Sequence, residues 1–220
     1  MKGDSPMDPR TIEILKQFST INQGIVIEAG NKIRTMAVTK NIFASAVVPD
    51  TFEREFAIYN LNEFLAVLSL FGVPDFTYGE ESVSIKQGKM KARYNYSSPA
   101  VVTAPPKGKT IPVRDVQLEF DVTAEELRNL MKAAAVLKAT DLVFSKTGIR
   151  AFNKKMDAND YALSIDGVEG DSDKLFSLKL ESMKMLPGDY RVRVTDTVVA
   201  FDAGEEGVDA LSYTMALERE

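Results

Sequence analysis

Apolar residues recur at helical spacing in two long segments of this chain and at short alternating intervals through most of the remainder. The first helix is predicted to begin at Asp8, a favourable N-cap followed by Pro9, and its apolar stripe contains Ile14, Leu15, Phe18 and Ile21. The clearest helix covers residues 124–138, because Thr123 and Glu126 form a capping box ahead of a regular apolar stripe. Shorter helices are predicted at residues 61–70 and 180–186, the latter ended by Pro187 and Gly188.

The alternating segments predict strands that give both halves of the chain the same plan. In the first half the predicted strands are 24–28, 32–38, 42–48, 53–59, 75–78, 82–87 and 89–96. In the second half they are 115–121, 141–145, 148–153, 160–166, 174–180, 189–195, 198–202 and 212–218. Helices and strands in this order indicate an α+β protein of two similar domains, each with two helices packed on one face of curved antiparallel sheets. A two-domain β-sandwich protein with incidental helices is the alternative.

A proline-rich stretch at residues 97–112 separates the two halves. It contains four of the nine prolines, and proline cannot occupy a helix interior or a central strand. We therefore predict a domain at 1–98, an extended connector at 99–114 and a domain at 115–220. An ordinary surface loop is the alternative interpretation of the connector.

The residue types that are missing restrict the chemistry of the chain. With no histidine and no cysteine, it cannot form a Ser-His-Asp triad, a cysteine nucleophile or a His- or Cys-ligated zinc site. No phosphate-binding glycine loop of the GxxxxGK[ST] or GxGxxG type is present, and no apolar run is long enough for a membrane span. We expect no enzyme activity, no cofactor, no membrane contact and a cytosolic location.

Charge is distributed unevenly along the chain. The net charge is 0 over residues 1–98, +3 over the connector and −8 over residues 115–220, giving −5 in total. Against this acidic background, seven cations lie on or beside predicted helices: Arg10, Lys16, Arg128, Lys132, Lys138, Lys179 and Lys184. If the helices share one face, that face is basic and can contact the phosphates of duplex DNA without reading bases. Taken singly, each is more simply explained as a solvated surface charge.

Five segments resemble the sliding clamps of T-even-type bacteriophages, the processivity factors of the phage DNA polymerase. In chain order they are FSTINQG at 18–24, AIYNLNEFLAVLSLF at 57–71, VVTAPPKGKTIP at 101–112, MKMLPGDYRV at 183–192 and YTMALE at 213–218. The resemblance implies the fold of the proliferating cell nuclear antigen, with two similar domains per chain and three chains closing a homotrimeric ring. It also implies that duplex DNA passes through the ring and that the DNA polymerase, a clamp loader ATPase and the late transcription machinery are partners. The location would be the cytoplasm of the infected bacterial host.

The resemblance also assigns roles to particular residues. The seven helix cations would line the hole, and the strand at 89–96 would meet the strand at 160–166 of the next chain, with Tyr94 and Tyr96 near Tyr161 and Leu163. Burial of both strands within their own domains is the alternative. The candidates for contact with a protein partner lie along the connector: Val101, Val102, Ile111 and Val113. Plain packing between the domains would explain these four residues equally well.

Two other classes of protein fit parts of the sequence. A structural virion or scaffold protein rich in β-strands would assemble through the same edges but would ignore DNA. An enzyme could use paired carboxylates with a divalent metal, because Asp and Glu are plentiful. A DNA-encircling clamp, which gains its grip from ring closure, remains the leading hypothesis.

Overall fold

The computed structural model describes residues 6–155, 159–170, 172–205, 207 and 209–219. Within these residues the chain forms three α-helices, which are α1 (Pro9–Ile21), α2 (Leu61–Leu68) and α3 (Ala124–Val136). The strands of the first half are β1 (Ile25–Ile27), β2 (Gly30–Met36), β3 (Ile42–Phe52), β4 (Phe56–Ile58), β5 (Asp75–Tyr78), β6 (Ser82–Gln87) and β7 (Met90–Asn95). Those of the second half are β8 (Leu118–Val122), β9 (Asp141–Ser145), β10 (Gly148–Phe152), β11 (Asp160–Ser164), β12 (Phe176–Lys179), β13 (Tyr190–Val194), β14 (Val198–Ala203) and β15 (Leu211–Ala216).

The strands form antiparallel sheets, the largest of which joins the two halves of the chain. Its order is β2-β3-β15-β14-β13-β8, so β3 from the first half pairs directly with β15, the last strand. The first half also contains a three-stranded sheet, β5-β6-β7, and the second a four-stranded sheet, β11-β10-β9-β12. The repeated plan predicted from the sequence therefore closes into an α+β fold whose central sheet is shared by both halves.

The helices lie where their apolar stripes predict. Helix α1 begins with Asp8 accepting a hydrogen bond from the Arg10 N–H group, and it packs on β3 and α2. Helix α3 has the predicted capping box between Thr123 and Glu126, and it packs on β10 and β11. The buried side chains of these helices belong to one continuous apolar core with the inward faces of the sheets.

The prediction of a fourth helix at residues 180–186 is wrong, because these residues form only one 3₁₀ turn, Leu180–Ser182. Hydrogen bonds hold both ends of the segment at residues 180–189 close to the two ends of α3. The Leu180 N–H bonds Thr140 O just beyond the end of α3, and the Asp189 carboxylate accepts from the Ala124 N–H at its start. Residues 183–189 belong to no helix or strand, so the segment runs beside α3 as an irregular loop.

Other predicted boundaries also shift. Strand β3 continues through Pro49 to Phe52, so the strand predicted at 53–59 shrinks to the three residues of β4. Strand β2 begins at Gly30, two residues before the predicted start, and Gly30 has a φ of 113°, a conformation that glycine adopts without strain. Lys179 was predicted to lie beside a helix. It is instead the last residue of strand β12, directly before the 3₁₀ turn Leu180–Ser182.

Candidate nucleic-acid interface

Five of the seven predicted DNA-facing cations are exposed and have no ion-pair partner among the described residues. They are Lys16, Arg128, Lys132, Lys138 and Lys184. Arg128 and Lys132 lie one turn apart on α3, which directs both side chains to the same side of the helix. Lys138 follows the end of α3 in a left-handed conformation with a φ of 52°. Exposed cations without intramolecular partners keep their full charge available for an external anion.

The other two cations are already engaged. The guanidinium of Arg10 donates to the Glu13 carboxylate at 2.6 Å, one turn along α1. The ammonium of Lys179 donates to Asp141 at 2.6 Å and lies 3.5 Å from the carboxylate of Glu218. Sequence spacing could not reveal the second arrangement, since residues 141 and 179 become neighbours only through the pairing of β9 with β12.

Asp141 is fully buried, and its carboxylate is held by Lys179 and by the hydroxyl of Thr140. Burial alone would raise the pKa of Asp141. The hydrogen bonds from Lys179 and Thr140, together with the charge of the ammonium, outweigh burial and place the pKa below its ordinary value. Lys179 therefore serves as the counter-ion of a buried carboxylate, and its charge is largely neutralised within the chain.

We expect Asp141→Ala to destabilise the protein by about 2–3 kcal/mol, because Lys179 and Thr140 lose their common acceptor. A carboxyl with a lowered folded-state pKa contributes stability that is present above its unfolded pKa and is lost as the pH falls through the folded value. The free energy of unfolding of the wild type should therefore fall more steeply below about pH 4 than that of the variant. Urea unfolding between pH 2.5 and 7 checks this. Parallel curves for the two proteins would contradict the role of Asp141.

Strands β7 and β11 each end a sheet, and no strand of the described residues covers their outer edges. The hydrogen bond from Tyr96 N to Glu81 O directs the backbone groups of alternate β7 residues outward, namely those of Lys91, Arg93 and Asn95. The bond from Ile165 N to Thr147 O does the same on β11 for Asp160, Ala162 and Ser164. Both edges thus present a row of free donors and acceptors.

The side chains of these outward residues are exposed on both strands, whereas the alternate residues Ala92 and Tyr94 of β7 and Tyr161 and Leu163 of β11 are half-buried; Met90, at the start of β7, is exposed. Tyr94 packs edge-on against Phe64 of α2 at 5.2 Å and donates its hydroxyl to Asn60 O. Tyr96 stacks on Phe56 at 4.9 Å, and burial raises its pKa to about 12. The two tyrosines therefore contact their own half of the chain first, as the alternative interpretation required, while the backbone edge beside them remains unpaired.

Two hydrogen-bonding side chains and one ion pair fasten the connector to the first half of the chain, and the ion pair joins the Lys107 ammonium to the Glu55 carboxylate at 2.6 Å. The Asn22 amide donates to Thr103 O at 2.8 Å, and the Arg34 guanidinium donates to Pro106 O and Lys109 O at 3.2 and 2.9 Å. Arg34 is itself held by the Glu28 carboxylate. These contacts hold residues 103–109 beside β2, one edge of the six-stranded sheet.

The second half of the connector crosses that sheet to β8 at its opposite edge. Five interstrand spacings amount to about 24 Å, and the eight residue steps from Lys109 to Gln117 reach at most about 28 Å. The chain must therefore cover most of this distance in extended form, although Asp115 has a left-handed conformation with a φ of 55°. Of the four predicted partner residues, Val101 and Ile111 are exposed and Val113 is half-buried. Val102 is only 9% exposed and lies close to Gly24, so internal packing accounts for it.

We expect Arg34→Ala to loosen the connector without unfolding the core, because two carbonyl groups lose a charged donor. Trypsin should then cut at Lys107 or Lys109 about ten times faster than in the wild type. Arg54→Ala is the matched control, since Arg54 bonds only Gly79 O on the surface among the described residues. Equal cleavage of the Arg34 and Arg54 variants would show that Arg34 does not hold the connector.

No helix among the described residues is long and apolar enough to cross a membrane. The described residues also contain no group of three or more acidic side chains arranged to hold a metal ion. Three features of the described residues are candidates for contact with a partner: the helix cations without an ion pair, the outer edges of β7 and β11, and the connector.

This architecture is the fold of the proliferating cell nuclear antigen and the beta clamps. The chain superimposes on the proliferating cell nuclear antigen of A. fulgidus, solved with the C-terminal region of FEN-1, with a TM-score of 0.74 and 12% identity over 99% of both chains. It also superimposes on the Helicobacter pylori beta clamp in complex with 3,4-difluorobenzamide, with a TM-score of 0.70 and 14% identity over 99% of this chain and 65% of that one. At such identities these likenesses establish the fold alone.

Sequence comparison establishes the family. The model of the DNA polymerase processivity factor matches residues 8–95. The sliding clamp of Vibrio phage KVP40 is 31% identical over 199 residues, covering 86% of this chain and 89% of the relative. The sliding clamp of Enterobacteria phage T4 is 30% identical over 218 residues, covering 94% of each chain. The chain belongs to the family of T4-type phage sliding clamps, as its sequence motifs predicted.

Proposed function

We propose that three copies of this chain close into a ring around duplex DNA and tether the phage DNA polymerase during synthesis. Membership of the sliding clamp family supports the activity, and the two unpaired strand edges support the ring. Strand β7 of one copy would pair with β11 of the next, so that each edge finds the partner it lacks. The chain would act without catalysis of its own.

The main observation that supports the ring is the alternation of exposed and half-buried side chains along β7 and β11. On both strands the residues with outward backbone groups have exposed side chains, and the half-buried residues face the helices. Antiparallel pairing places directly opposed side chains on the same face. The two sheets would therefore join with α2 and α3 on one side, and Tyr94 would lie beside Tyr161 and Leu163. If the outward backbone groups of one of the two strands belonged to its half-buried residues instead, α2 and α3 would lie on opposite sides of the joined sheet.

Charge supports the same arrangement. The exposed face of β7 carries Lys91 and Arg93, and that of β11 carries Asp160. With Tyr94 opposite Tyr161, Arg93 would face Ala162 and lie diagonally across from Asp160, whose carboxylate is also 3.9 Å from the Arg150 guanidinium of its own chain. The helices would line the hole, where Lys16, Arg128, Lys132, Lys138 and Lys184 contact phosphates without reading bases. The excess negative charge of the second half would repel DNA from the remaining surface.

The partners of the ring follow from the resemblance and stay predictions. A clamp loader ATPase would open the ring in the cytoplasm of the infected host, and the late transcription machinery would be a further partner. On the connector, the proposed contacts for the polymerase remain Val101, Ile111 and Val113. The buried Val102 would hold this part of the connector in place by packing beside Gly24.

Loading onto circular DNA tests the whole proposal. With a phage clamp loader and ATP present, the protein should remain on nicked circular DNA through gel filtration and should leave when the circle is cut. Light scattering should give about three times the 24.3 kDa chain mass. A monomer at all concentrations, or equal release from closed and cut circles, would contradict encirclement and favour a scaffold protein.

A further inference from the structure

A groove of about 480 Å³ runs along α3, between this helix and the segment that replaces the fourth predicted helix. Its floor is apolar and is formed by Leu127, Met131 and Ala135 of α3 and by Met183, Met185 and Leu186 of the segment. From Ala124 to Ala135 the groove follows α3 for about 16 Å, which corresponds to three helical turns. Three methionines give this floor a flexible surface that adapts to different side chains.

The segment on the other side of the groove, residues 183–187, is not helical. Met183 has a φ of −72° and a ψ of 53°, and the Lys184 N–H donates to Ser182 O at 2.7 Å, so the segment begins with a tight turn. The Tyr190 hydroxyl donates to Leu186 O at 2.6 Å, and the Leu186 N–H donates to the Tyr213 hydroxyl at 3.2 Å, which fixes the segment to the core. The side of α3 next to it stays open, with Met131 and Met185 only half-buried.

One rim of the groove is positively charged. Arg128 and Lys132 stand there one helical turn apart, and neither forms an ion pair with any described residue. None of the residues that line the groove is acidic. An occupant must therefore combine apolar side chains for the floor with carboxylates for the rim.

We propose that this groove binds an amphipathic helix of a partner protein, with an apolar stripe flanked by carboxylates four residues apart. The length matches three helical turns, and the spacing of the carboxylates matches that of Arg128 and Lys132. Duplex DNA fits less well, since phosphates would use the two cations but would leave the apolar floor uncovered. This docking does not depend on encirclement. If the ring is as proposed, the partner helix and the duplex exclude each other, because both use α3.

A synthetic peptide tests the docking directly. The probe is a fluorescein-labelled, 14-residue peptide with leucines at helical i, i+3, i+4 and i+7 positions and glutamates on both flanks. A second peptide has lysine at every glutamate position. Fluorescence anisotropy with the full chain should show saturable binding of the acidic peptide and at least about tenfold weaker binding of the basic one. No saturation by the acidic peptide, or equal binding of both, would overturn the proposal.

Matched variants locate the site. Ala135→Trp fills the groove from an exposed position of α3, and Asn129→Trp adds the same bulk to an exposed position of α3 that does not line the groove. Ala135→Trp should weaken the binding of the acidic peptide about tenfold or more, whereas Asn129→Trp should leave the binding of this peptide unchanged. Equal effects of the two would overturn the assignment. A lower oligomer mass for Ala135→Trp would identify the occupant as a second copy, and weaker DNA retention with unchanged peptide binding would identify it as the duplex. Either result overturns the proposal.

Discussion

Replacing Arg93 by proline should convert the assembled protein to monomers while leaving the chain folded. The backbone N–H of Arg93 points away from β6, so proline removes a donor that the chain itself does not use. In the proposed ring that N–H bonds β11 of the next copy. We expect each junction to weaken by about 1–3 kcal/mol, or roughly tenfold to a hundredfold in its equilibrium constant, because one hydrogen bond is lost and its acceptor is left unpaired.

Light scattering over a concentration series measures this effect, and thermal unfolding confirms that the chain is folded. Arg93→Ala is the control, because it removes the same side chain but keeps every backbone donor. Ala162→Pro applies the same design to β11, where the N–H of Ala162 also points outward. Wild-type mass for both folded proline variants would show that these edges do not join the copies.

Reversing Arg128 and Lys132 to glutamate should abolish retention on circular DNA at physiological salt while the ring remains closed. A trimer would lose six cations and gain six anions on the surface that faces the duplex. Each lost phosphate contact should also reduce the salt dependence of binding by about 0.9 unit. We expect stimulation of the polymerase to fall at least about tenfold.

A variant with the same change in net charge distinguishes a local effect from a general one. Lys32→Glu with Lys154→Glu reverses two exposed cations that lie on no helix, and neither forms an ion pair within the described part of the chain. This variant should be retained on DNA almost as well as the wild type. Normal polymerase stimulation by the Arg128 and Lys132 variant would exclude α3 from the DNA-facing surface.

The local features of the fold could be predicted well where sequence and structure use the same short-range forces. The capping box of α3 is complete within four residues, and the apolar stripe of α1 identifies the face that it buries. The prolines of the connector exclude a long helix or a central strand by their own geometry, although Pro99–Val101 forms one 3₁₀ turn where an extended chain was predicted. The family was also accessible, because its motifs survive as short runs in their original order.

The candidate site was predicted less completely, because exposure and pairing depend on residues distant in sequence. Lys179 resembles the other helix cations in sequence, yet it neutralises Asp141 across two strands. Val102 resembles Val101, but the fold buries the first and exposes the second. The groove beside α3 had no signal in the sequence, since the same residues predicted a helix there.

The sequence by itself determined the class of fold and the excess of cations near predicted helices over an acidic background. These properties follow from local periodicity and composition, which each segment carries without its neighbours. Only the tertiary structure decided that β3 and β15 join the halves, which cations remain free and that residues 183–187 form no helix. Each of these depends on contacts between residues distant in sequence, such as those of Leu186 with Tyr190 and Tyr213, which no single segment carries.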